Sequence, residues 1–290
     1  MDAALRELED HGYELDGALL PRGRPDRATV LLRSAAGARV VAKLYPSGDG
    51  ESAYTNLLEL WRSSFGESRV PPGLPRPLDF VAGAGAVIME RLEGRPLGEF
   101  EEPEEATLDA AIGLLASLHE SDAAPVRCRD GRRIVRSLAR KAERIAELAP
   151  ELAPCFRTLV ARLAQMEPDE PALVPCHGDF SPRNVLVGAR RLALIDFDRL
   201  QRADPARDIA YFGAWYWMRA VRRQQPPDWS ALARAIARYD ALRPQAAVRE
   251  RVPFHVAAGL ARMAHSLVEL CPEQARLVPR LTGAALAQLP

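Results

Sequence analysis

The hydrophobic pattern of this 290-residue chain changes once along its length, and the change limits the folds open to it. Before about residue 92, short apolar runs separated by small-residue turns are typical of β-strands. After about residue 103, apolar residues recur at i, i+3 and i+4, which is typical of amphipathic helices. The shift predicts an α+β chain with an N-terminal lobe over residues 1–92 and a helical C-terminal lobe over residues 93–290.

Within the first lobe the pattern predicts a hairpin, a helix and two further strands. The runs at residues 28–34 and 38–46 flank the turn Ala-Ala-Gly, and residues 51–65 have helical spacing. The segments PLDFV and AVIMERL have strand character. In the second lobe, the only β-like stretch is NVLVGARRLALIDFD, which predicts two short strands joined by a glycine turn.

Charge and cysteine content exclude several functional classes. Thirty-nine basic and thirty-nine acidic residues give no net charge, so no global field attracts nucleic acid or anionic lipid. The apolar runs are shorter than the roughly 20 residues that a membrane span needs. Four cysteines without a CxxC pair fit neither a disulfide framework nor a zinc cluster. We therefore predict a cytoplasmic protein without nucleic-acid or membrane partners.

Two residue types are rare enough to be informative. Lys43 and Lys141 are the only lysines among the thirty-nine basic residues, and Asn56 and Asn184 are the only asparagines. Arginine supplies positive charge elsewhere, whereas the compact lysine ammonium is suited to reaching phosphate oxygens. One residue of each rare type, Lys43 and Asn184, falls in a motif with chemical character.

That motif is a loop followed by a strand end. The segment CHGDFSPRN ends at Asn184, and Asp196 follows twelve residues later in LALIDFD. Amide and carboxylate oxygens suit Mg²⁺, which combines one or two protein carboxylates with substrate phosphates. Asp179 in the loop can take a proton from an attacking hydroxyl. The tripeptide HGD alone is better explained by an aspartate that caps a helix or turn, but the addition of Asn184, Asp196 and Lys43 reverses this order and favours a kinase-like site.

HGDFSPRN, with IDFD and DPARDIAYF after it, resembles the aminoglycoside phosphotransferase family, whose fold is similar to that of protein kinases. The resemblance implies a two-lobed, protein-kinase-like α+β fold with a small, mostly antiparallel N-lobe carrying one helix and a larger helical C-lobe. It implies Asp179 as the catalytic base and His177 as a residue that orients the loop. Asp208 resembles a family aspartate that buttresses this loop.

The resemblance also implies the metal ligands and the nucleotide contacts. Asn184 and Asp196 correspond to Mg²⁺ ligands, and Asp198 is a further candidate. VVAKLYP resembles the strand whose lysine, here Lys43, reaches the α- and β-phosphates. We predict Glu51 as the partner of Lys43, with Glu59 as the alternative.

The nucleotide base and the loop over the phosphates are less well defined by the sequence. AVIMERLEGRPL resembles the family hinge, so backbone groups from Glu90 to Leu92 are expected to meet the base. The segment from Arg22 to Arg27 has no G-x-G-x-x-G motif, so the loop over the phosphates is not placed. The sequence does not distinguish ATP from GTP.

The acceptor is expected to be a small molecule that carries a hydroxyl group. Only seven residues separate Asp196 from Asp204, which leaves no room for an activation segment that binds a protein substrate. Residues 211–290 contain eleven arginines against five acids, a balance that disfavours a polycationic aminoglycoside. We expect a neutral or mildly polar antibiotic, sugar or amino-alcohol-like metabolite. The alternatives are an aminoglycoside phosphotransferase that confers resistance and a catalytically inactive kinase-like binding protein.

Overall fold

The computed structural model describes residues 2–17, 28–46, 48–67, 73–166 and 172–290. The predicted α+β class is confirmed, because an antiparallel five-stranded sheet is combined with many helices. The segment from Arg22 to Arg27, where the loop over the phosphates was sought, lies outside the described residues. None of the helices in the described ranges is both long enough and apolar enough to cross a membrane.

The strands are short and follow one another in compact groups. In chain order they are β1 (Tyr13–Leu15), β2 (Ala28–Ser34), β3 (Arg39–Leu44), β4 (Pro77–Val81), β5 (Ala86–Glu90), β6 (Arg95–Pro96), β7 (Cys128–Arg129), β8 (Val174–Cys176), β9 (Val185–Val187), β10 (Leu192–Leu194) and β11 (Gln201–Ala203). The hairpin of β2 with β3 and the pair of strands β9 and β10 are confirmed as predicted.

Helices make up most of the remaining chain. In chain order they are α1 (Asp2–Asp10), α2 (Gly50–Arg62), α3 (Ser64–Glu67), α4 (Glu105–Glu120), α5 (Gly131–Leu148), α6 (Ala153–Gln165), α7 (Ala206–Arg222), α8 (Ser230–Leu242), α9 (Val252–Leu270) and α10 (Val278–Leu286). The single helix expected over residues 51–65 is interrupted at Ser63, whose extended backbone separates α2 from α3.

The chain divides into two compact units. Unit 1 comprises Met1–Glu99, Ser121–Ala124 and Arg183–Leu200, and unit 2 comprises Phe100–Glu120, Pro125–Pro182 and Gln201–Pro290. Unit 1 thus includes the β9–β10 hairpin, although three helices of unit 2, α4, α5 and α6, precede this hairpin in the chain. The functional boundary proposed at residue 92 stays a prediction.

In unit 1, a five-stranded sheet positions Lys43. The strand order is β1-β2-β3-β5-β4, and every pairing is antiparallel. Val40, Ala42 and Leu44 of β3 are buried in the core that α1 covers through Leu8. Because side chains alternate between the faces of a strand, Lys43 lies on the face opposite this core.

In unit 2, α9 forms the centre of a helical core. Thirteen of its nineteen residues are buried, and it packs against α5, α6, α7 and α10. A three-stranded sheet of order β7-β11-β8 lies in the same unit and leads into the loop after β8. All four cysteines of the chain are free thiols.

We predict that Gly213→Ala destabilises the protein by about 1–3 kcal/mol because it overpacks the contact of α7 with α8. A Cβ atom at Gly213 would lie 2.5 Å from Leu232 Cβ. Because the position of a Cβ atom is fixed by the backbone, a side-chain rotation of Leu232 cannot remove this clash. The matched control is Gly113→Ala on α4, where a Cβ would meet nothing within 4 Å. The free energy of unfolding in urea checks both variants, and equal stability of the two would contradict this packing.

Candidate active site

The β9–β10 hairpin forms a three-stranded sheet with β6 and brings Asn184 and Asp196 to one end of that sheet. Val185 pairs with Leu194, and the backbone N–H of Ile195 donates to the carbonyl of Asn184 at 3.0 Å. Asn184 therefore precedes the first strand, and Asp196 follows the second, at the open end of the hairpin. The twelve-residue spacing in the sequence is the length of this hairpin.

Lys43 reaches both aspartates of the segment that follows β10. Its Nζ donates to Asp196 Oδ1 at 2.6 Å and to Asp198 Oδ2 at 2.7 Å. The hydroxyl of Tyr45, two residues along from Lys43, donates to Asp198 Oδ1 at 2.6 Å. Burial by itself lowers the pKa of Lys43, but the two carboxylates raise it above its ordinary value. Lys43 is therefore a charged lysine held by two carboxylates.

The predicted pairing of Lys43 with Glu51 is wrong. Glu51 is exposed in the first turn of α2, whose buried face carries Gly50, Ala53, Leu57 and Leu60. The alternative, Glu59, accepts a hydrogen bond from the backbone N–H of Ala124 at 2.7 Å. The helix instead contacts the segment after Asp196 through Asn56, whose Nδ2 donates to the carbonyl of Phe197 at 3.2 Å.

Asp196 has a backbone conformation that is uncommon for a residue with a side chain. Its φ of 71° and ψ of 63° lie in the left-handed region, directly before the 3₁₀ turn Phe197–Arg199. Such a conformation costs of order 1 kcal/mol and is found preferentially at functional sites. It turns the chain sharply, so that Asp196 and Asp198 both reach the ammonium of Lys43.

The predicted hinge residues lie at the end of β5. Glu90 is its last residue, and Leu92 follows it, half-buried. The backbone N–H of Glu90 donates to the carbonyl of Arg76 at 2.8 Å, and Glu90 Oε2 accepts from the N–H of Arg76 at 3.1 Å. These bonds hold Glu90 against Arg76 at the end of β5. Contact of this segment with a nucleotide base stays a prediction.

In unit 2, the buried carboxylate of Asp208 holds the loop that follows β8. Its oxygens accept from the backbone N–H groups of His177 at 2.7 Å and Gly178 at 2.9 Å. His119 Nε2 lies 3.3 Å from the same carboxylate, and His119 Nδ1 lies 2.8 Å from the hydroxyl of Tyr239. Burial alone raises the pKa of Asp208, but the hydrogen bond with His119 and the nearby His177 and Arg207 lower it below its ordinary value.

The loop itself is shaped by Gly178 and His177. Gly178 has a φ of 76°, which is readily adopted only by glycine. His177 is fully buried, and its Nδ1 accepts from the backbone N–H of Asp179 at 3.3 Å. This contact is compatible with the predicted orienting role of His177.

Asp179 is held by an arginine that the sequence motif did not reveal. Arg262 of α9 donates from Nη2 to Asp179 Oδ1 and from Nη1 to the carbonyl of Gly178, both at 2.9 Å. The ring of Tyr211 lies 3.8 Å from the guanidinium carbon. Only the topology of unit 2 brings Arg262 to the loop, because 83 residues separate it from Asp179.

Unit 2 contains a second buried carboxylate, that of Asp204. Its contacts with Arg251 and His255 were not predicted from the sequence. Arg251 Nε lies 2.7 Å from it, His255 Nε2 lies 3.0 Å from it, and the N–H of Ala206 donates to it at 2.9 Å. Burial alone raises the pKa of Asp204, but His255 and Arg251 lower it well below its ordinary value. The available signal was its position before Pro205 at the start of α7.

His119, Cys176 and Asp208 form a buried cluster whose potential ligand atoms lie within 4.8 Å of one another. Both imidazole nitrogens of His119 and both oxygens of Asp208 already have hydrogen-bond partners. Burial raises the pKa of the Cys176 thiol well above its ordinary value, which favours the neutral form. The hydrogen bonds already made by His119 and Asp208 indicate a structural cluster.

A family model decides the relationship of the chain to known proteins. Residues 18–244 match the model described as the phosphotransferase enzyme family, APH. The chain belongs to this family. The resemblance seen in HGDFSPRN is thereby confirmed, and the protein is a kinase-like phosphotransferase that acts on hydroxyl groups of small molecules. A comparison with curated protein sequences gives no match.

Solved structures support the same fold. An aminoglycoside-3'-phosphotransferase of type VIII is 25% identical with a TM-score of 0.64, over 88% of this chain and 97% of that chain. A thermostable aminoglycoside phosphotransferase APH(4)-Ia mutant, in ternary complex with ADP and hygromycin B, is 16% identical with a TM-score of 0.69, over 99% of each chain. A choline/ethanolamine kinase family protein from Mesorhizobium loti is 15% identical with a TM-score of 0.63, over 94% of this chain and 88% of that chain.

Asp204 and Asp208 predict the acid sensitivity of the fold. Both have a folded-state pKa below the ordinary value of 3.8, so their stabilisation is present above that pH and is lost as the pH falls below it. We expect the free energy of unfolding in urea to be constant for these two groups above about pH 5 and to fall between about pH 5 and about pH 2.

The decrease in the free energy of unfolding at acidic pH should be smaller in Asp204→Asn than in the wild type. This variant should also be less stable at neutral pH, because Arg251 loses its charged partner. Glu102→Gln, at an exposed position, is the control and should follow the wild-type curve. Identical pH dependence in Asp204→Asn and the wild type would contradict the role assigned to Asp204.

Proposed function

We propose that this protein transfers the γ-phosphoryl group of ATP, or of GTP, to a hydroxyl group of a small molecule. The observation that carries the proposal is the hairpin geometry of unit 1, which brings Asn184 and Asp196 together while Lys43 contacts Asp196 and Asp198. An amide, two carboxylates and one ammonium are the groups that recognise a nucleotide triphosphate with its divalent cation. The ADP bound to APH(4)-Ia favours ATP over GTP.

The residues fit a hard divalent cation. Asn184, Asp196 and Asp198 offer oxygen atoms only, as Mg²⁺ prefers, and would hold it together with phosphate oxygens. When bound, Mg²⁺ supplies positive charge that offsets the negative charge of the phosphates. The ammonium of Lys43 offsets one of the two negative charges of Asp196 and Asp198, which leaves a net negative charge that suits a cation. Lys43 would pass from these carboxylates to phosphate oxygens when nucleotide and Mg²⁺ bind.

Asp179 would act as the base for the acceptor. The carboxylate takes the proton of the hydroxyl while the oxygen attacks the γ-phosphorus, and the bond to the leaving phosphate breaks. His177 would orient the loop through its contact with the N–H of Asp179. Glu90 and Leu92 would border the base of the nucleotide. Glu51 has no part in the proposal, since it is exposed and Lys43 has other partners.

The excess of arginines in residues 211–290 is weaker evidence against a cationic acceptor than the sequence suggested. Five of the eleven arginines in residues 211–290 pair with acids outside that segment, namely Arg223 with Glu101, Arg234 with Glu105 and Asp109, Arg243 with Glu120, Arg251 with Asp204, and Arg262 with Asp179. The arginine excess is therefore largely neutralised within unit 2. We retain a neutral or mildly polar hydroxyl compound, such as an antibiotic, sugar or amino alcohol, as the acceptor.

An aminoglycoside is the second candidate acceptor, with resistance as the consequence. The structure that is 25% identical is an aminoglycoside-3'-phosphotransferase, which favours this candidate. A panel containing kanamycin-type compounds, macrolides, choline and amino sugars, assayed with ATP and with GTP, distinguishes the acceptors. We place the reaction in the cytoplasm, because the free thiols suit a reducing compartment that supplies nucleotide triphosphates.

We predict that Asp179→Asn lowers phosphoryl transfer by about 10²–10⁴-fold, because an amide cannot accept the hydroxyl proton. Nucleotide binding should persist, since the proposed nucleotide contacts lie on Lys43, Asn184 and Asp196. Transfer is measured by mass spectrometry of the acceptor, and ADP binding by calorimetry. Wild-type turnover in Asp179→Asn would contradict the proposal. Absence of transfer from the wild type across the panel would favour a kinase-like binding protein.

We predict that Lys43→Met weakens the binding of MgATP by about tenfold or more, because the ammonium no longer contacts phosphate oxygens. Lys141→Met, which removes the chain's other lysine, is the matched control. Titration of each variant with MgATP gives the dissociation constants. Unchanged affinity in Lys43→Met would contradict the assigned role of Lys43.

A further inference from the structure

We infer that Arg262 is a positioning residue for the reaction, one that holds the carboxylate of Asp179 in the orientation needed to receive the acceptor's proton. The inference rests on the proposed function of Asp179. The guanidinium contacts Asp179 Oδ1 and the carbonyl of Gly178, both at 2.9 Å. The two side chains are 16% and 20% exposed, so water screens the pair only in part.

The fork shape of the guanidinium makes this contact directional. One Nη donates to the backbone of the loop and the other to the side chain that the loop presents. Two donors in a fixed plane restrict both the position and the rotation of the carboxylate, which a single ammonium does not. Arg262 therefore ties the direction of the Asp179 carboxylate to the backbone at Gly178.

Arg262 is itself held in place. It projects from α9, the most buried helix of unit 2, and the ring of Tyr211 on α7 lies 3.8 Å from its guanidinium carbon. Burial alone lowers the pKa of Arg262, but Tyr211 and Asp179 raise it above its ordinary value. A stacked and charged guanidinium loses little freedom when it binds a carboxylate.

The loop is consequently fixed from two helices. Asp208 of α7 accepts the N–H groups of His177 and Gly178, and Arg262 of α9 donates to the carbonyl of Gly178 and to Asp179. The first pair of bonds fixes the backbone alone. The contact with Asp179 Oδ1 is the one that acts on the side chain with the chemical role.

The chemical consequence is an oriented base, whose Oδ1 is held by Arg262 at 2.9 Å. A carboxylate has about four lone-pair sites, so a bond at Oδ1 leaves capacity to accept the hydroxyl proton. Because small errors in position lower rates steeply, loss of Arg262 should reduce turnover more than substrate binding.

The test compares Arg262→Lys, Arg262→Gln and Arg262→Ala with the wild type, Asp179→Asn and a control. The control is Arg234→Gln, which removes an arginine that contacts both oxygens of Asp109 elsewhere in unit 2. Two reactions are followed: phosphate release from MgATP with water as acceptor, and transfer to the best acceptor of the panel. Thermal unfolding and circular dichroism establish which variants fold.

We expect Arg262→Gln to lower kcat by about 10–100-fold with less than about a threefold change in the KM for MgATP. Arg262→Lys should retain more activity than Arg262→Gln, and added guanidinium at millimolar concentration should partly restore Arg262→Ala. Arg234→Gln should keep the wild-type kcat. If Arg262→Gln and Arg262→Ala do not fold, the kcat of Arg262→Lys decides, with a decrease of several-fold expected.

Wild-type kcat in Arg262→Gln, an equal decrease in Arg234→Gln, or no response of Arg262→Ala to guanidinium would overturn the inference. If only Arg262→Lys folds, wild-type kcat in that variant would overturn it. In each case an inactive Asp179→Asn would leave the proposed function intact. Full activity in Asp179→Asn would instead contradict the proposed function itself and the inference with it.

Discussion

The site in unit 2 depends on a charge that is removed from water. The carboxylate of Asp208 is fully buried, and such a charge is tolerated only when hydrogen bonds and nearby positive groups offset its desolvation. The N–H groups of His177 and Gly178 and the imidazole of His119 provide this compensation. The backbone that satisfies Asp208 is the loop carrying Asp179. The same bonds that make burial possible therefore fix the loop on which the proposed chemistry depends.

Unit 1 contains a largely buried positive charge that also needs compensation. The ammonium of Lys43, 17% exposed, is stabilised by Asp196 and Asp198. Asp196 reaches it because the chain turns through a left-handed conformation directly after β10. Charge compensation and local backbone strain together gather the groups that suit a nucleotide phosphate and its cation. Tyr45 and Asn56 hold this segment from β3 and α2.

The local patterns in the sequence predicted much of the fold, because alternation and helical periodicity are local properties. The β2–β3 and β9–β10 hairpins and the helices α4 to α6 follow directly from them. The Glu51 prediction failed because helical spacing shows which residues share a face but not which face meets Lys43. Arg262, Arg251 and Tyr239 have no local signal, since only the packing of distant segments brings them to their partners, which are Asp179, Asp204 and His119 respectively. The boundary of unit 1 was also obscured, because residues 183–200 belong to it in space but not in chain order.

In the proposed function, the cation that accompanies the nucleotide would be held jointly by Asn184 and Asp196. Electron paramagnetic resonance of Mn²⁺ with ADP tests this assignment most directly, because Mn²⁺ can replace Mg²⁺ and reports on its own ligands. We expect a bound Mn²⁺ signal in the wild type, strongly reduced in both Asn184→Ala and Asp196→Ala and retained in Asp179→Asn. A wild-type signal in both Asn184→Ala and Asp196→Ala would show that neither residue holds the cation.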